Sequence, residues 1–232
     1  MKYSAIFFDL DGTLLPMDLD EFTQTYFKLL SARFPQFDPK AFVAGVWKGT
    51  MAMVTNDGSM TNEDRFWSVF ASLMGEDIRS REPEFADFYE TDFHKIKAIC
   101  GENPLAKTAV ELARRHADKV VLATNPIFPH CGVRSRLRWI GLTPEDFDYI
   151  TTYENSSFCK PSARYYQNIC DQLQVDPAQC LMIGNDIRED AHGAAQIGMQ
   201  THIVTDSLIT HDLNLNDRPH STFAELVQQL SV

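Results

Sequence analysis

Short apolar runs alternate with amphipathic stretches through most of the chain. Tyr3 to Phe8 is an apolar and aromatic run with few interruptions, which is typical of a buried strand. From about residue 105 onward, further strands are predicted at 120–123, 149–152, 181–183 and 202–204, and helices at 107–117, 134–140, 162–173 and 191–197, with a last helix opening at Thr222. This alternation predicts an α/β fold, a doubly wound, Rossmann-like parallel sheet with helices on both faces.

Residues 16–98 break the alternation, because they carry helical patterns and almost no strand signal. Four amphipathic helices are predicted there, over residues 22–30, 41–54, 66–74 and 85–96. Pro16 and the run from Gly101 to Pro104 are the expected hinges where this insert leaves and rejoins the sheet. The sequence therefore predicts a core built from residues 1–15 and 99–232, and a four-helix-bundle cap over residues 16–98.

Composition and charge narrow the function class. The 232 residues include 44% hydrophobic and 23% charged residues, as in an ordinary globular protein. Five cysteines without a Cys-x-x-Cys pair favour reduced thiols, and no stretch resembles a signal peptide or a membrane span, so a cytoplasmic location is expected. The net charge of −11 argues against a nucleic-acid partner, and an anionic substrate would need local positive charge.

Polar residues gather where the predicted strands end. Asp9 and Asp11 follow the first strand, Thr124 follows the second, Lys160 lies in the loop after the third, and an Asn-Asp pair follows the fourth. Ligands of open parallel sheets bind at this edge. Two neighbouring carboxylates at a strand end need a compensating charge, for which a divalent cation is the simplest candidate.

The ordered motifs resemble those of the haloacid dehalogenase superfamily. They are Phe-Asp-Leu-Asp-Gly-Thr-Leu at 8–14, Thr124, Lys160-Pro161, and Gly-Asn-Asp-x-x-x-Asp at 184–190. The helical insert is similar to that family's first class of cap. The first motif is highly specific, whereas the threonine and the lysine carry weight only through their order and their position at strand ends.

The resemblance implies a role for each matching residue. Asp9 would be the nucleophile that forms an aspartyl-phosphate, and Asp11 would act as general acid and then general base. The Asp9 side chain, the Asp11 carbonyl and Asp186 would hold Mg²⁺. Thr124 would bind a phosphate oxygen, and Lys160 would neutralise phosphate charge.

Three further positions are expected to support the site. The Asn125 backbone N–H would assist phosphate binding, and Asp190 would orient Lys160 or a metal-bound water. Many relatives place an aspartate where this chain has Asn185, so the resemblance leaves open which of Asn185 and Asp186 reaches the metal. Asp186 is favoured, because a hard cation prefers a carboxylate to an amide oxygen.

The resemblance implies a Mg²⁺-dependent phosphatase acting on a small phosphorylated metabolite. A sugar phosphomutase of the same family and a non-catalytic phosphoacceptor or binding protein are the alternatives, whereas dehalogenases of the family characteristically lack the second aspartate. Specificity is expected to lie in the cap, where Lys48, Thr50 and Asn56 are candidate contacts. No membrane partner is expected, a homodimer is left open, and residues 206–220 are predicted to be a surface loop without an assigned role.

Overall fold

The computed structural model describes residues 2–232, and within them it contains one six-stranded sheet. The strands are β1 (Tyr3–Phe8), β2 (Ala117–Leu122), β3 (Tyr149–Ile150), β4 (Cys180–Gly184), β5 (Gln200–Val204) and β6 (His220–Ser221). Their order is β3-β2-β1-β4-β5-β6, and each neighbouring pair is parallel. The predicted parallel sheet is confirmed, and β1 lies at its centre.

Helices cover both faces of the sheet, as the doubly wound prediction requires. They are α5 (Ala106–His116), α6 (His130–Trp139), α7 (Ala163–Leu173), the three-residue α8 (Gly193–Ala195) and α9 (Phe223–Leu230). Ile6 and Phe8 of β1 belong to the hydrophobic cluster that contains α5, α6 and α9, whereas Ala5 and Phe7 belong to the cluster that contains α7 and α8. Because successive strand side chains point to opposite faces, one apolar run supplies both cores.

The strand register brings three chain segments to one edge of the sheet. Phe8 pairs with Leu122 of β2 and with Ile183 of β4. The next backbone bonds continue this register, with the Asp9 N–H donating to the Ile183 carbonyl and the Ala123 N–H donating to the Phe8 carbonyl. The motif residues after β1, β2 and β4 therefore leave the sheet side by side.

All the secondary-structure elements of the insert are helices joined by short turns. It contains α1 (Leu19–Arg33), α2 (Pro39–Val54), α3 (Asn62–Met74), a 3₁₀ helix (Glu76–Arg81), α4 (Glu82–Glu90) and a second 3₁₀ helix (Asp92–Ile99). The side chains of Asp18, Asp38 and Thr61 cap the first three helices by accepting bonds from backbone N–H groups. No helix within residues 2–232 is long and apolar enough to cross a membrane.

The two ends of the insert lie against each other. The Gly101 N–H donates to the Pro16 carbonyl at 2.8 Å, and the Asn103 side chain donates to the Leu14 carbonyl at 3.0 Å. The insert therefore begins and ends at one point beside the β1 loop. This geometry suits the expected hinge, and the division into core and cap remains a prediction.

Aromatic side chains join the insert to the core in one hydrophobic cluster. Phe93 of the second 3₁₀ helix packs on Trp139 of α6, with ring centroids 5.1 Å apart. Tyr89 and Phe22 contact Phe128 in edge-to-face geometry, at 6.3 and 6.1 Å. The aromatic residues of the insert are thus shared between the bundle interior and the surface that faces the core.

Two predicted helices differ from the structure. The fourth helix, expected over 85–96, ends at Glu90, because the backbone turns at Thr91 (φ −125°, ψ −86°) and continues as a 3₁₀ helix. The helix expected over 191–197 begins earlier, as a π-helical turn over Ile187–His192. It begins there because Asp186 accepts bonds from two of its first N–H groups.

Candidate active site

The predicted site residues meet around a cavity of about 370 Å³ between the sheet edge and the insert. Its floor includes Asp9, Asp11, Thr124, Asn125, Asn185, Asp186 and Asp190. Lys160 is buried beneath the floor and bonds to two of these carboxylates. All eight residues named from the sequence are therefore brought together, although they come from four separate chain segments.

Lys160 joins the first motif to the fourth. Its ammonium donates to Asp9 Oδ1 and to Asp190 Oδ1, each at 2.7 Å, and all three side chains are almost fully buried. Burial raises the pKa of Asp9 to about 6, against the opposing effect of the Lys160 charge. Burial would lower the pKa of Lys160, but the charges of Asp190 and Asp9 outweigh it and hold that pKa well above its usual value.

Asp190 is held from both sides. While its Oδ1 accepts from Lys160, its Oδ2 accepts from the backbone N–H groups of Asn185 and Asp186, each at 3.0 Å. The Asp190 carboxylate also fills the space beside Gly184, where an added Cβ would lie 2.1 Å from Oδ2. This arrangement suits the expected role of orienting Lys160.

The loop after β1 turns so tightly that glycine is required. Gly12 has φ +85°, and a Cβ there would lie 2.3 Å from the side-chain nitrogen of Asn185. Thr13 follows, and its hydroxyl lies 3.2 Å from Asp9 Oδ2 and 3.0 Å from Asn185 Oδ1. The turn thus places the first and fourth motifs in direct contact.

Asn185 and Asp186 are used differently. The Asn185 amide is engaged at both ends, since its oxygen faces Thr13 and its nitrogen donates to the Ser207 carbonyl at 2.7 Å. Asp186 Oδ1 accepts from the N–H groups of the π-helical turn, and its Oδ2 lies 2.7 Å from His211 Nε2. Asn185 therefore connects the loop that contains Thr13 to the loop that contains Ser207. Of the two neighbours, Asp186 is the one that supplies a carboxylate at the cavity.

Asp11 is paired with an arginine that lies outside all of the sequence motifs. Arg136 of α6 is fully buried, bonds to Asp11 Oδ2, and places its guanidinium 4.3 Å from the Phe128 ring centroid. Asp11 Oδ1 is buried without a partner among the described residues. Burial raises the pKa of Asp11, while Arg136 acts in the opposite direction. The sequence feature that could have indicated this role is the position of Arg136 on α6. It shares the buried face of that helix with Gly132 and Val133, where an arginine needs a charged partner.

Thr124 and Asn125 lie at the end of β2. The Thr124 carbonyl accepts bonds from the hydroxyls of Thr151 (2.7 Å) and Tyr165 (2.9 Å), which fix the backbone while the residue lines the cavity. The Asn125 side chain donates to Glu189 at 3.2 Å. Burial raises the pKa of Glu189 to about 7, and Glu189 is a further cavity carboxylate in addition to the predicted site residues.

The segment over residues 206–220 is more than a surface loop. Ile209 exchanges backbone bonds with the fourth motif, since its N–H donates to the Asn185 carbonyl and its carbonyl accepts from the Ile187 N–H. His211 reaches Asp186 and borders the cavity. A segment that lacked a role in the sequence therefore closes one side of the site.

Of the three insert residues expected to contact substrate, only Thr50 lines the cavity. Thr50 lines the cavity and bonds its hydroxyl to the Val46 carbonyl. Lys48 is exposed and is absent from the described cavity lining. Asn56 is buried, and it bonds to the Met60 carbonyl and to Asn62, so its role is structural.

The donor set at the floor fits a hard divalent cation. Asp9, Asp11 and Asp186 line the cavity together, and its lining includes five carboxylates and one arginine, Arg188. Within residues 2–232, no three His, Cys, Asp or Glu side chains assemble as a metal site. The expected set needs only two carboxylate side chains, because a backbone carbonyl and outside oxygens complete it.

The sequence matches a protein-family model and a relative of known activity. A family model described as haloacid dehalogenase-like hydrolase matches residues 3–198. An N-acetylmuramic acid 6-phosphate phosphatase of Pseudomonas aeruginosa is 26% identical over 197 residues, which cover 83% of this chain and 78% of that protein. The match therefore spans most of the length of both proteins.

Solved structures share the fold at lower identity. One is a magnesium-bound protein described as a HAD-hydrolase, YfnB of Bacillus subtilis, with 18% identity, complete coverage of both chains and a TM-score of 0.58. Another is a 2-haloacid dehalogenase of Pseudomonas syringae, with 13% identity, coverage of 99% and 98%, and a TM-score of 0.62. At these identities the likeness shows the fold alone, so the reaction has to be argued from the site.

Proposed function

The chain belongs to the haloacid dehalogenase-like hydrolases, and from this premise we propose that it is a Mg²⁺-dependent phosphatase of a small phosphorylated metabolite. The observation that carries the proposal is the position of Asp9. Its carboxylate is held by Lys160 at 2.7 Å, and it lines the same cavity as Asp11, two residues further along the chain. A fixed carboxylate with a second carboxyl group beside it suits nucleophilic transfer to an alcohol leaving group.

The first half of the proposed reaction forms a covalent intermediate. A carboxylate oxygen of Asp9 attacks phosphorus, and the phosphorus–oxygen bond to the leaving group breaks. Asp11, in its protonated form, gives its proton to the departing oxygen, so that an alcohol leaves and Asp9 carries the phosphoryl group. The charge of Lys160 offsets that of the phosphoryl group from beneath Asp9, and the Thr124 hydroxyl binds a phosphoryl oxygen.

The second half restores the enzyme. The Asp11 carboxylate takes a proton from water as the water oxygen attacks phosphorus, and the bond between phosphorus and Asp9 breaks. Inorganic phosphate leaves, Asp9 is a free carboxylate again, and Asp11 is again protonated. Mg²⁺, held by the Asp9 side chain, the Asp11 carbonyl and Asp186, would supply positive charge to the transferring phosphoryl group.

The relatives support phosphate-ester chemistry without fixing the substrate. The Pseudomonas aeruginosa relative is a sugar-phosphate phosphatase by name, and it is more similar in sequence than the dehalogenase. A dehalogenase releases halide and has no use for an acid at Asp11, so the carboxyl at Asp11 favours phosphate esters. A phosphomutase, which would have to hold a second phosphate, has weaker support, because no described insert residue lining the cavity is charged.

Hydrolysis of p-nitrophenyl phosphate tests the proposal. Release of p-nitrophenol should require Mg²⁺ and should be lost in Asp9→Asn. Asp118→Asn changes an exposed aspartate on β2 and serves as the matched control. Equal release by Asp9→Asn, or no release by the wild-type protein over a range of Mg²⁺ concentrations, would contradict the proposal.

A further inference from the structure

The cavity has two chemically different ends. Its floor carries the carboxylates of the motifs, while its upper wall comes from the insert. We call these nine insert residues the upper wall: Leu19, Phe22, Thr23, Tyr26, Phe27, Trp47, Thr50, Met51 and Val54. None of these nine residues is charged, and seven of them have large apolar or aromatic side chains. A phosphate ester bound at the floor would therefore place its leaving group against an uncharged surface.

The upper wall gathers apolar side chains that remain open to solvent. Leu19, Trp47 and Met51 are 53%, 50% and 41% exposed. Six large apolar side chains are exposed within residues 2–232, and these three share one cavity. Isolated exposed apolar residues are ordinary, but a cluster of them at a concave site marks a surface that binds an apolar group.

Ring packing holds the wall in place. Trp47 packs edge-on against Phe27 at 6.2 Å, and Tyr26 packs against Phe27 at 5.4 Å and against Phe128 at 5.5 Å. The Tyr26 hydroxyl is already bonded to the Tyr89 hydroxyl at 2.8 Å. The wall thus offers preformed aromatic surface more than free hydrogen-bonding groups.

The charges of the residues that line the cavity also favour an uncharged leaving group. Among the residues that line the cavity are five carboxylates and one arginine, Arg188, which belongs to the fourth motif. A second negative charge on the leaving group would face the upper wall, whose nine residues include no cation to pair with it. Unpaired charge in a partly dehydrated cavity is costly, whereas aromatic and aliphatic groups gain free energy by leaving water.

We propose that the substrate is a phosphate monoester whose leaving group is uncharged and aromatic or extended and apolar. The phosphate binds at the floor beside Asp9, and the leaving group packs against Trp47 and Met51. This assignment rests on the proposed phosphatase function and adds the chemical class of its substrate.

Three alkyl phosphates of different character test the assignment. We expect kcat/KM to be highest for 2-phenylethyl phosphate, about tenfold lower for glycerol 3-phosphate, and lowest for 2-phosphoglycolate, whose leaving group carries a carboxylate. All three release an alkoxide from a primary carbon, so differences report on binding more than on bond reactivity. Equal values, or a preference for 2-phosphoglycolate, would overturn the assignment while leaving the phosphatase function intact. Absence of Mg²⁺-dependent hydrolysis of all three and of p-nitrophenyl phosphate would overturn both.

Exposed residues allow a variant test with a matched control. Trp47→Ala should narrow the ratio of kcat/KM between 2-phenylethyl phosphate and glycerol 3-phosphate by about tenfold, mainly through KM for the aromatic ester. Leu73→Ala removes another exposed apolar side chain of the insert, 46% exposed and outside the described cavity lining, and should leave the ratio unchanged.

Two results with these variants would overturn the assignment. One is an unchanged substrate ratio in Trp47→Ala. The other is a dimer in sedimentation velocity that Trp47→Ala dissociates without a change in substrate order, because the upper wall would then be covered by a second copy of the chain.

Discussion

The fully buried guanidinium of Arg136 is paired with Asp11, the carboxyl group proposed to transfer the proton. The two residues are 125 positions apart in sequence. Arg136 extends from α6, and its guanidinium packs over the Phe128 ring. The pair fixes where the Asp11 side chain lies relative to Asp9 before substrate binds. Arg136 is therefore proposed as a positioning residue for the acid and base.

Arg136→Met should impair acid catalysis selectively. Proton transfer is worth about 10²–10⁴-fold in rate, and it matters most when the leaving group is a strongly basic alkoxide. We expect kcat to fall by about 10²-fold for 2-phenylethyl phosphate and much less for p-nitrophenyl phosphate, whose leaving group needs little protonation. Steady-state kinetics on both esters measures the effect. A purely structural role for Arg136 would lower both rates by the same factor.

Lys160→Met should destabilise the fold as well as abolish activity. The variant leaves Asp9 and Asp190 buried without the cation that bridges them. Loss of one partner from a buried ion pair costs about 3–5 kcal/mol in the free energy of unfolding. Urea denaturation would measure this cost, with Lys40→Met, an exposed lysine of α2, as the control. Equal stability of the two variants would show that the bridge contributes little.

Gly12→Ala and Gly75→Ala separate backbone strain from crowding at the site. Both glycines have positive φ, +85° and +101°, but a Cβ at Gly75 meets nothing within 4 Å, whereas one at Gly12 meets Asn185. Each variant should lose about 1–3 kcal/mol of stability through backbone strain, and Gly12→Ala should lose more because its Cβ also clashes with Asn185. Only Gly12→Ala should also lose phosphatase activity, because Asn185 must move. Retained activity in Gly12→Ala would contradict the close contact between the two motifs.

The sequence anticipated the centre of this structure better than its periphery. The strand over 3–8 and the motif residues after it were predicted because an apolar run and a local motif are both readable over a few neighbouring positions. The gathering of Asp9 and Asp190 followed from the rule that parallel strands end at one edge of the sheet, whereas the contact of Lys160 with Asp190 was expected from the family resemblance. The expected hinge residues Pro16 and Gly101 are likewise in contact.

What the sequence did not indicate are contacts between distant segments with ordinary local patterns. Arg136 has arginines on both sides along α6, and only its position on the apolar face distinguishes it. His211 lies in a polar stretch that resembles a solvated loop, and its role depends on the backbone pairing of Ile209 with the fourth motif. The upper wall likewise depends on how the helices of the insert orient their aromatic side chains toward the sheet.

His211→Ala should weaken magnesium binding. His211 contacts the Oδ2 atom of Asp186, the carboxylate proposed as a metal ligand, and partners of this kind orient the ligands they contact. We expect the Mg²⁺ concentration for half-maximal activity to rise by about 10–100-fold. His220→Ala, an exposed histidine later in the same part of the chain, is the control. An unchanged Mg²⁺ requirement in His211→Ala would place this histidine outside the metal site.

Trapping the covalent intermediate tests the central claim most directly. In Asp11→Asn, p-nitrophenyl phosphate should still transfer its phosphoryl group to Asp9, because its leaving group needs little protonation, while the water step loses its base. Rapid acid quench followed by peptide mass spectrometry should then find one phosphoryl group on Asp9, and none in the double variant Asp9→Asn/Asp11→Asn. A phosphoryl group on another residue, or no covalent adduct in Asp11→Asn while the wild-type protein hydrolyses the ester, would contradict the proposed mechanism.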